Sequence, residues 1–178
     1  IELLTGILFG LVAWQYGWSW ITLGGLILTA FLISLTLIDA DTQYLPDSMT
    51  LPLIWLGLLF NFNGDFVSLQ SAVSGAVAGY GSLWLLCAVY KLLTGKIGMG
   101  NGDFKLLAAL GAWLGISVLP VLVFLAALVG LAMAVIMRIS KGQYFAFGPA
   151  LAISGWIIFA ANDSVLRAVN WWLTHSGL

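Results

Sequence analysis

Residues 21–38 form an apolar run without a single charge, and this run constrains the fold more than any other feature. A helix that spans a membrane needs roughly 17 to 25 predominantly apolar residues. The composition agrees, because 62% of the 178 residues are hydrophobic and 7% are charged, whereas soluble domains are about a quarter charged. The sequence therefore predicts a polytopic membrane protein in the lipid bilayer. It carries no signature of nucleic-acid binding.

Six further apolar runs predict an all-α transmembrane helical bundle of about seven segments, in one membrane-embedded domain over residues 1–178. These runs cover residues 3–14, 49–60, 71–93, 104–116, 117–137 and 150–161. The helix predicted over 104–116 is about 20 Å long at about 1.5 Å per residue, too short to cross a hydrocarbon core of about 30 Å alone. We expect it to begin below the membrane surface in a recess lined by protein, where irregular backbone is tolerated.

Two stripes of small residues indicate close helix packing. Ser71, Gly75 and Gly79 recur every four residues, and Ala126, Gly130 and Ala134 do so later in the chain. Small side chains on one face let helices approach closely in lipid. We therefore expect both stripes to serve the scaffold.

Asp103 follows two glycines in Gly100-Asn101-Gly102-Asp103-Phe104-Lys105 and leads directly into an apolar run. A carboxylate at the edge of hydrocarbon costs a few kcal/mol, so such an acid usually lines a site and has a partner. We expect residues 100–105 to form a loop in which Gly100 and Gly102 adopt turn angles closed to other residues and admit another segment closely. This arrangement predicts that Asp103 belongs to a functional site rather than merely capping its short helix.

The predicted partner of Asp103 is one of the acids that follow the run 21–38, namely Asp39, Asp41 or Asp47. Asp39 and Asp41 lie two residues apart and do not share a helical face, so at most one points at Asp103. Asp39 is slightly favoured because it is nearer the apolar run, although the residues alone leave the choice open. Asp47 is also a good candidate for the N-cap of the next helix.

The distribution of basic residues predicts the orientation in the membrane. If the seven runs alternate in direction, one side carries Lys91, Lys96, Lys105, Arg138 and Lys141, and the other carries Arg167. Cytoplasmic loops carry an excess of lysine and arginine. The basic side is therefore predicted to be cytoplasmic, and the acids at positions 39, 41, 47 and 103 fall on it.

Neither the cysteine nor the histidine of this sequence is a good candidate for catalysis, so the reactive groups that remain are carboxylates. Cys87 is the only cysteine and lies inside an apolar run, which excludes an internal disulfide or thiolate metal site, and His175 is near the terminus. Two aspartates that share a site do not both ionise easily, so one keeps its proton. Such a pair activates water and protonates a peptide carbonyl, as in aspartic proteases. Which aspartate acts as the base stays open.

Two motifs resemble those of the prepilin peptidases, the bacterial type IV leader peptidases that serve type IV pili and type II secretion. The first is Leu37-Ile38-Asp39-Ala40-Asp41-Thr42-Gln43-Tyr44-Leu45-Pro46-Asp47, followed by Leu51-Pro52-Leu53. The second is Gly98-Met99-Gly100-Asn101-Gly102-Asp103-Phe104-Lys105-Leu106-Leu107-Ala108. The resemblance implies that Asp39 and Asp103 are the catalytic aspartates.

The resemblance also implies a substrate and a location. The family cleaves the short basic leader of prepilins and pseudopilins at the cytoplasmic face of the bacterial inner membrane. Proteolysis in this family needs no cofactor, and many members also methylate the new N-terminus with S-adenosylmethionine. Asp41, Asp47 and Lys105 are candidate substrate contacts, although a lysine has the wrong sign to attract a basic leader.

This sequence departs from the family pattern in two places. Many members carry a cytoplasmic domain with paired Cys-x-x-Cys motifs, thought to hold zinc, and no such motif occurs here, so no metal is expected. Relatives often have Pro-Phe-Gly-Pro where this chain has Ala146-Phe147-Gly148-Pro149.

Two other functions are considered. One is another branch of Gly-x-Gly-Asp intramembrane proteases, such as preflagellin peptidases or signal peptide peptidases, for which Leu45-Pro46-Asp47 is not expected. The other is a transporter or proton-coupled membrane subunit, which would predict paired half-helices or inverted repeats. The sequence has one short helix and no recognisable repeat.

Overall fold

The structure, a computed structural model, describes residues 1–95, 99–136 and 146–161. In these ranges the chain forms seven α-helices and no strand. They are α1 (Glu2–Tyr16), α2 (Trp20–Thr42), α3 (Asp47–Phe60), α4 (Leu69–Thr94), α5 (Asn101–Leu114), α6 (Leu119–Ile136) and α7 (Gly148–Ala160), with a 3₁₀ turn at Ile116–Val118 before α6. Each predicted apolar run coincides with a helix, so the predicted all-α bundle is confirmed. Lys96, Arg138, Lys141, Arg167 and His175, which entered the sequence analysis, lie outside the described residues.

Three segments are long and apolar enough to cross a membrane: Trp20–Thr42, Leu69–Thr94 and Ile116–Ile136. Large apolar side chains also cover the outside of the bundle, as on α4, where Leu92 and Leu93 are mostly exposed. An exposed apolar surface of this kind suits contact with lipid rather than water. The chain is therefore a membrane protein.

Helix α5 forms the centre of the bundle. From Asp103 to Leu114, every residue except Lys105 is buried, and α3, α4 and α7 pack around it. A helix that is hydrophobic on all sides is normally a buried one. Its 14 residues correspond to about 21 Å at about 1.5 Å per residue. The expected short helix surrounded by protein is confirmed, and its depth relative to the membrane surface stays a prediction.

The glycine stripe on α4 allows α5 to pack at backbone distance. A Cβ added to Gly75 would overlap the carbonyl of Gly111, and a Cβ added to Gly111 would overlap the carbonyl of Gly75. One turn further along α4, a Cβ at Gly79 would lie 2.7 Å from the carbonyl oxygen of Leu107. The predicted packing role of this stripe is confirmed. In the second stripe, Ala126 and Gly130 are buried on α6.

Two buried polar side chains connect α3 to the C-terminal end of α5. The indole Nε1 of Trp113 donates to the carbonyl of Leu53 at 2.9 Å. The amide of Asn61 donates to the carbonyls of Ala112 and Trp113 at 2.9 and 3.2 Å. The oxygen of the same amide accepts from the backbone N–H groups of Phe66 and Val67. Asn61 thus supplies hydrogen-bond partners both to carbonyl groups at the end of α5 and to N–H groups in the turn after α3.

Helices α2 and α7 run antiparallel and are held together along their length. A Cβ at Gly25 would lie 2.7 Å from Cζ of Phe159, and Nε1 of Trp156 lies 3.1 Å from Oγ1 of Thr29. Because the two helices run in opposite directions, the first turn of α7 arrives at the last turn of α2. That last turn contains Asp39.

Candidate active site

The structure separates the two neighbouring acids of α2. Asp39 is 4% exposed and faces the interior of the bundle, whereas Asp41 is exposed. A buried carboxyl group needs a hydrogen-bond partner or a second charge to be tolerated. Asp39 is therefore the acid of this segment whose environment requires an explanation.

The first residue of α7 lies against the Asp39 carboxyl group. The backbone N–H of Gly148 faces that carboxyl group closely enough to serve as its hydrogen-bond donor. A Cβ added to Gly148 would overlap Oδ2 of Asp39 and lie 3.0 Å from its Cγ. Oδ2 itself is buried and has no hydrogen-bond partner among the described residues.

Asp103 lies in the first turn of α5 and is 8% exposed. The prediction that residues 100–105 form a loop was wrong, because α5 already begins at Asn101 and its N-cap is Gly100. Asp103 is the third residue of the helix and does not cap it. Gly102, which has no side chain, lets the first turn of α5 pack directly on Leu45.

The two glycines before Asp103 are not needed for unusual backbone angles. Gly100 has φ −76°, and neither Gly100 nor Gly102 is among the glycines with positive φ. The expectation of special turn angles was therefore wrong. The expectation of close approach is confirmed for Gly102, because a Cβ there would lie 2.8 Å from Cβ of Leu45. A Cβ at Gly100 would meet nothing within 4 Å.

Leu45 packs against residues that adjoin each of the two acids. This buried side chain contacts Gly102, the neighbour of Asp103, and also lies 3.1 Å from the position of a Cβ at Gly148, which faces Asp39. Burial, and to a smaller extent the negative charge of Asp39, raise the pKa of Asp103 to about 7. Asp39 and Asp103 are thus close enough to interact electrostatically.

Asp47 and Lys105 form an ion pair beside these acids. Nζ of Lys105 donates to Oδ1 of Asp47 at 2.6 Å, with side chains that are 23% and 52% exposed, respectively. The prediction that Asp47 is an N-cap was wrong: Pro46 is the N-cap and Asp47 is the first residue of α3, without a capping hydrogen bond. The carboxylate reaches across to the ammonium group of α5 instead. This pair links the beginning of α3 to the N-terminal part of α5.

Sequence reasoning missed Leu45 and Gly148 as parts of this site. In the sequence, Gly148 was noted only within Ala146-Phe147-Gly148-Pro149, the segment that departs from the family pattern. A signal existed, because glycine is common where another group approaches the backbone closely. The identity of the contacting group, however, depends on the packing of α7 against α2.

The described residues contain no group of three or more His, Cys, Asp or Glu side chains that could hold a metal ion. A groove of 360 Å³ between α1, α2 and α7, which neither Asp39 nor Asp103 lines, has a lining of apolar side chains and Thr36. Such a lining offers few partners for the ribose, adenine or sulfonium group of S-adenosylmethionine. This groove does not fit that cofactor.

Comparison with known proteins identifies one family and several relatives that share one name. Residues 26–135 match the type IV leader peptidase family. A prepilin leader peptidase/N-methyltransferase of Neisseria gonorrhoeae is 83% identical over 98% of this chain and 61% of its own length. Proteins with the same name from Aeromonas hydrophila and Pseudomonas aeruginosa are 51% and 50% identical, over 98% and 94% of this chain and 61% and 59% of their own lengths. The chain thus spans less than two thirds of these curated relatives. No solved structure shows a significant match.

Proposed function

The chain belongs to the type IV leader peptidase family, and we propose that Asp39 and Asp103 form the catalytic pair of an aspartic endopeptidase. The observation that carries this proposal is the burial of these two carboxylic acids, on α2 and α5, close enough to interact electrostatically. Two such acids share a proton, because ionising both in one low-dielectric site is unfavourable. A pair of this kind is suited to acid–base chemistry near neutral pH.

The proposed reaction is hydrolysis of a peptide bond. The ionised carboxylate removes a proton from a water molecule while the water oxygen attacks the carbonyl carbon, and the protonated carboxyl group donates its proton to the carbonyl oxygen. The tetrahedral intermediate then collapses: the C–N bond breaks, the amine nitrogen takes up the proton that the first carboxylate had removed from water, and a hydroxyl group of the intermediate returns a proton to the second carboxylate. The pair returns to its singly protonated state and needs no further reactant.

The proposed substrates are prepilins and pseudopilins, since the curated relatives carry the name prepilin leader peptidase. We place the site at the cytoplasmic face of the bacterial inner membrane. There the end of a spanning helix would hold Asp39 next to the boundary where a basic leader precedes a hydrophobic segment. Among the candidate substrate contacts, the exposed Asp41 suits the basic leader better than Asp47, whose carboxylate already binds Lys105.

Methylation of the new N-terminus is a further proposal taken from the name of the relatives. S-adenosylmethionine would supply the methyl group. The groove between α1, α2 and α7 does not fit that cofactor, so no step of methyl transfer is assigned to the described residues.

A processing assay tests the proposed peptidase. The purified chain in detergent or lipid is mixed with a prepilin, and leader removal is compared for the native protein, Asp39→Asn and Asp103→Asn. Asparagine keeps the size of the side chain and removes the acid, so each variant is expected to lose at least about 10³-fold in rate, the scale seen when catalytic residues are removed. Asp65→Asn, in the turn after α3 and outside this site, is the matched control, and its rate of leader removal should stay near native. Near-native cleavage by either of the first two variants would contradict the proposal.

A further inference from the structure

We propose that Gly148 is a positioning residue for the reaction, which holds the Asp39 carboxyl group in place through its backbone N–H and through the absence of a side chain. The inference rests on the proposed function, because it assigns a role in the same site. It adds a third element to that site, helix α7, which neither aspartate belongs to. The argument depends on three observations about Gly148 and its surroundings.

The first observation is the contact itself. The backbone N–H of Gly148 interacts with the Asp39 carboxyl group, and a Cβ at this position would overlap Oδ2. The two closest groups to such a Cβ belong to Asp39 and Leu45. No room for even a methyl group is therefore left between the first turn of α7 and the carboxyl group.

The second observation is that Gly148 does not have the left-handed backbone that favours glycine. Gly148 is the first residue of α7 and is not among the positive-φ glycines. It precedes Pro149, and a proline disfavours helical angles at the residue before it, partly through the Cβ of that residue. The proline and the contact with Asp39 therefore both favour a glycine here.

The third observation concerns how firmly the N–H is placed. Pro149 follows Gly148 in the first turn of α7, where its fixed φ is already suited to a helix. The hydrogen bond between Trp156 and Thr29, with Phe159 packed against Gly25, fixes α7 on α2. The donor and the carboxyl group therefore lie on two helices that are packed together as one unit.

The oxygen that faces Gly148 is Oδ2, the atom that an added Cβ would overlap. Oδ2 is buried without a hydrogen-bond partner among the described residues, and leaving a buried polar atom unpaired is unfavourable. Because this oxygen lies directly against the first turn of α7, a side chain at position 148 would push the carboxyl group out of its place. Gly148 thus fixes the direction of the carboxyl group.

The test is the variant Gly148→Ala, assayed for leader removal at varied substrate concentration. The added methyl group displaces the carboxyl group, and a displacement of about 1 Å lowers the rate about 10²-fold. We expect kcat to fall by about 10²-fold with KM nearly unchanged, because Gly148 acts through Asp39 and not through substrate binding.

Two control variants separate positioning from a general packing defect. Gly155→Ala also lies in α7, and its Cβ would press on the side chain of Leu110 rather than on an acid. Gly6→Ala adds a Cβ that meets nothing within 4 Å. Both are expected to keep a near-native kcat. An equal loss of kcat in Gly155→Ala would overturn the proposal.

A double variant covers the contact of Gly148 with Leu45, and it also serves if the single variant does not fold. Gly148→Ala combined with Leu45→Ala makes room on the side of Leu45 and leaves the overlap with Asp39. Measured against Leu45→Ala alone, the double variant should still lose about 10²-fold in kcat. Recovery of kcat would overturn the proposal.

The outcome is distinguishable from failure of the proposed function. If the native chain cleaves prepilin and Asp39→Asn does not, the function stands. Near-native kcat in Gly148→Ala would then overturn the positioning role alone.

Discussion

The negative charge of Asp39 raises the pKa of Asp103, a residue on a different helix. Burial contributes more to this shift than the charge does, and together they bring the pKa to about 7. An aspartate side chain in water has a pKa near 3.8. At neutral pH, Asp103 therefore exists in both its protonated and its ionised form, which a general acid or base requires.

This coupling predicts how Asp103 titrates once its neighbour is neutral. Asp39→Asn removes the repulsion that opposes ionisation of Asp103, so the pKa of Asp103 should fall below about 7 and stay above 3.8, because burial remains. The carboxyl carbon signals of labelled aspartate, followed by NMR over pH, measure this shift. Asp41→Asn, which changes an exposed acid, should leave the midpoint of Asp103 unchanged. An unchanged midpoint in Asp39→Asn would show that the two acids are not coupled.

The backbone contact between α4 and α5 predicts a strong effect of a single methyl group. In Gly111→Ala the new Cβ would overlap the carbonyl of Gly75, and overpacking of this kind costs about 1–3 kcal/mol. Thermal or denaturant unfolding in detergent measures the loss of stability. Gly81→Ala, on α4 with nothing within 4 Å of the new Cβ, should be neutral or stabilising by up to about 1 kcal/mol. Equal stability of both variants would contradict the close contact.

The pair of Lys105 and Asp47 predicts a small and non-additive effect on stability. Both side chains are partly exposed, so the pair should contribute no more than about 1 kcal/mol and less in high salt. Lys105→Met and Asp47→Asn are each expected to lose that amount, and the double variant should lose no more than either. Fully additive losses in this double-mutant cycle would mean that the two charges do not interact.

The buried amide of Asn61 predicts a larger effect. Asn61→Ala removes the partner of two carbonyl groups at the end of α5. It also removes the partner of two backbone N–H groups in the turn after α3. Each buried polar group left unpaired costs about 1–3 kcal/mol, so the variant should be among the least stable. The exposed Asn63 provides the control, and Asn63→Ala should change stability by less than about 0.5 kcal/mol. Similar unfolding of the two variants would rule out the role of Asn61.

The helices could be predicted from the sequence because each is a long apolar segment between polar residues. Hydrophobicity alone also identified α5 as too short to span and as surrounded by protein. The spacing of Gly75 and Gly79 predicted a packing face, since small residues one turn apart lie on one side of a helix. These predictions needed only local chemistry.

The details of the candidate site could not be predicted in the same way, because they arise between distant segments. Asp47 looked like a cap until α5 brought Lys105, 58 residues away, to its carboxylate. The position of Gly148 against Asp39 depends on the antiparallel packing of α7 on α2. Two acids on separate runs could be proposed as partners, but the residues that orient them required the tertiary structure.

The central claim is that Asp39 and Asp103 act as one catalytic unit, and a double-mutant cycle on kcat/KM tests it most directly. Leader removal would be measured for Asp39→Asn, Asp103→Asn and the variant with both changes. Residues that act as a unit are strongly non-additive, so all three variants should fall to the same residual rate. A double variant whose loss equals the product of the two single losses, or a near-native rate in either single variant, would contradict the claim.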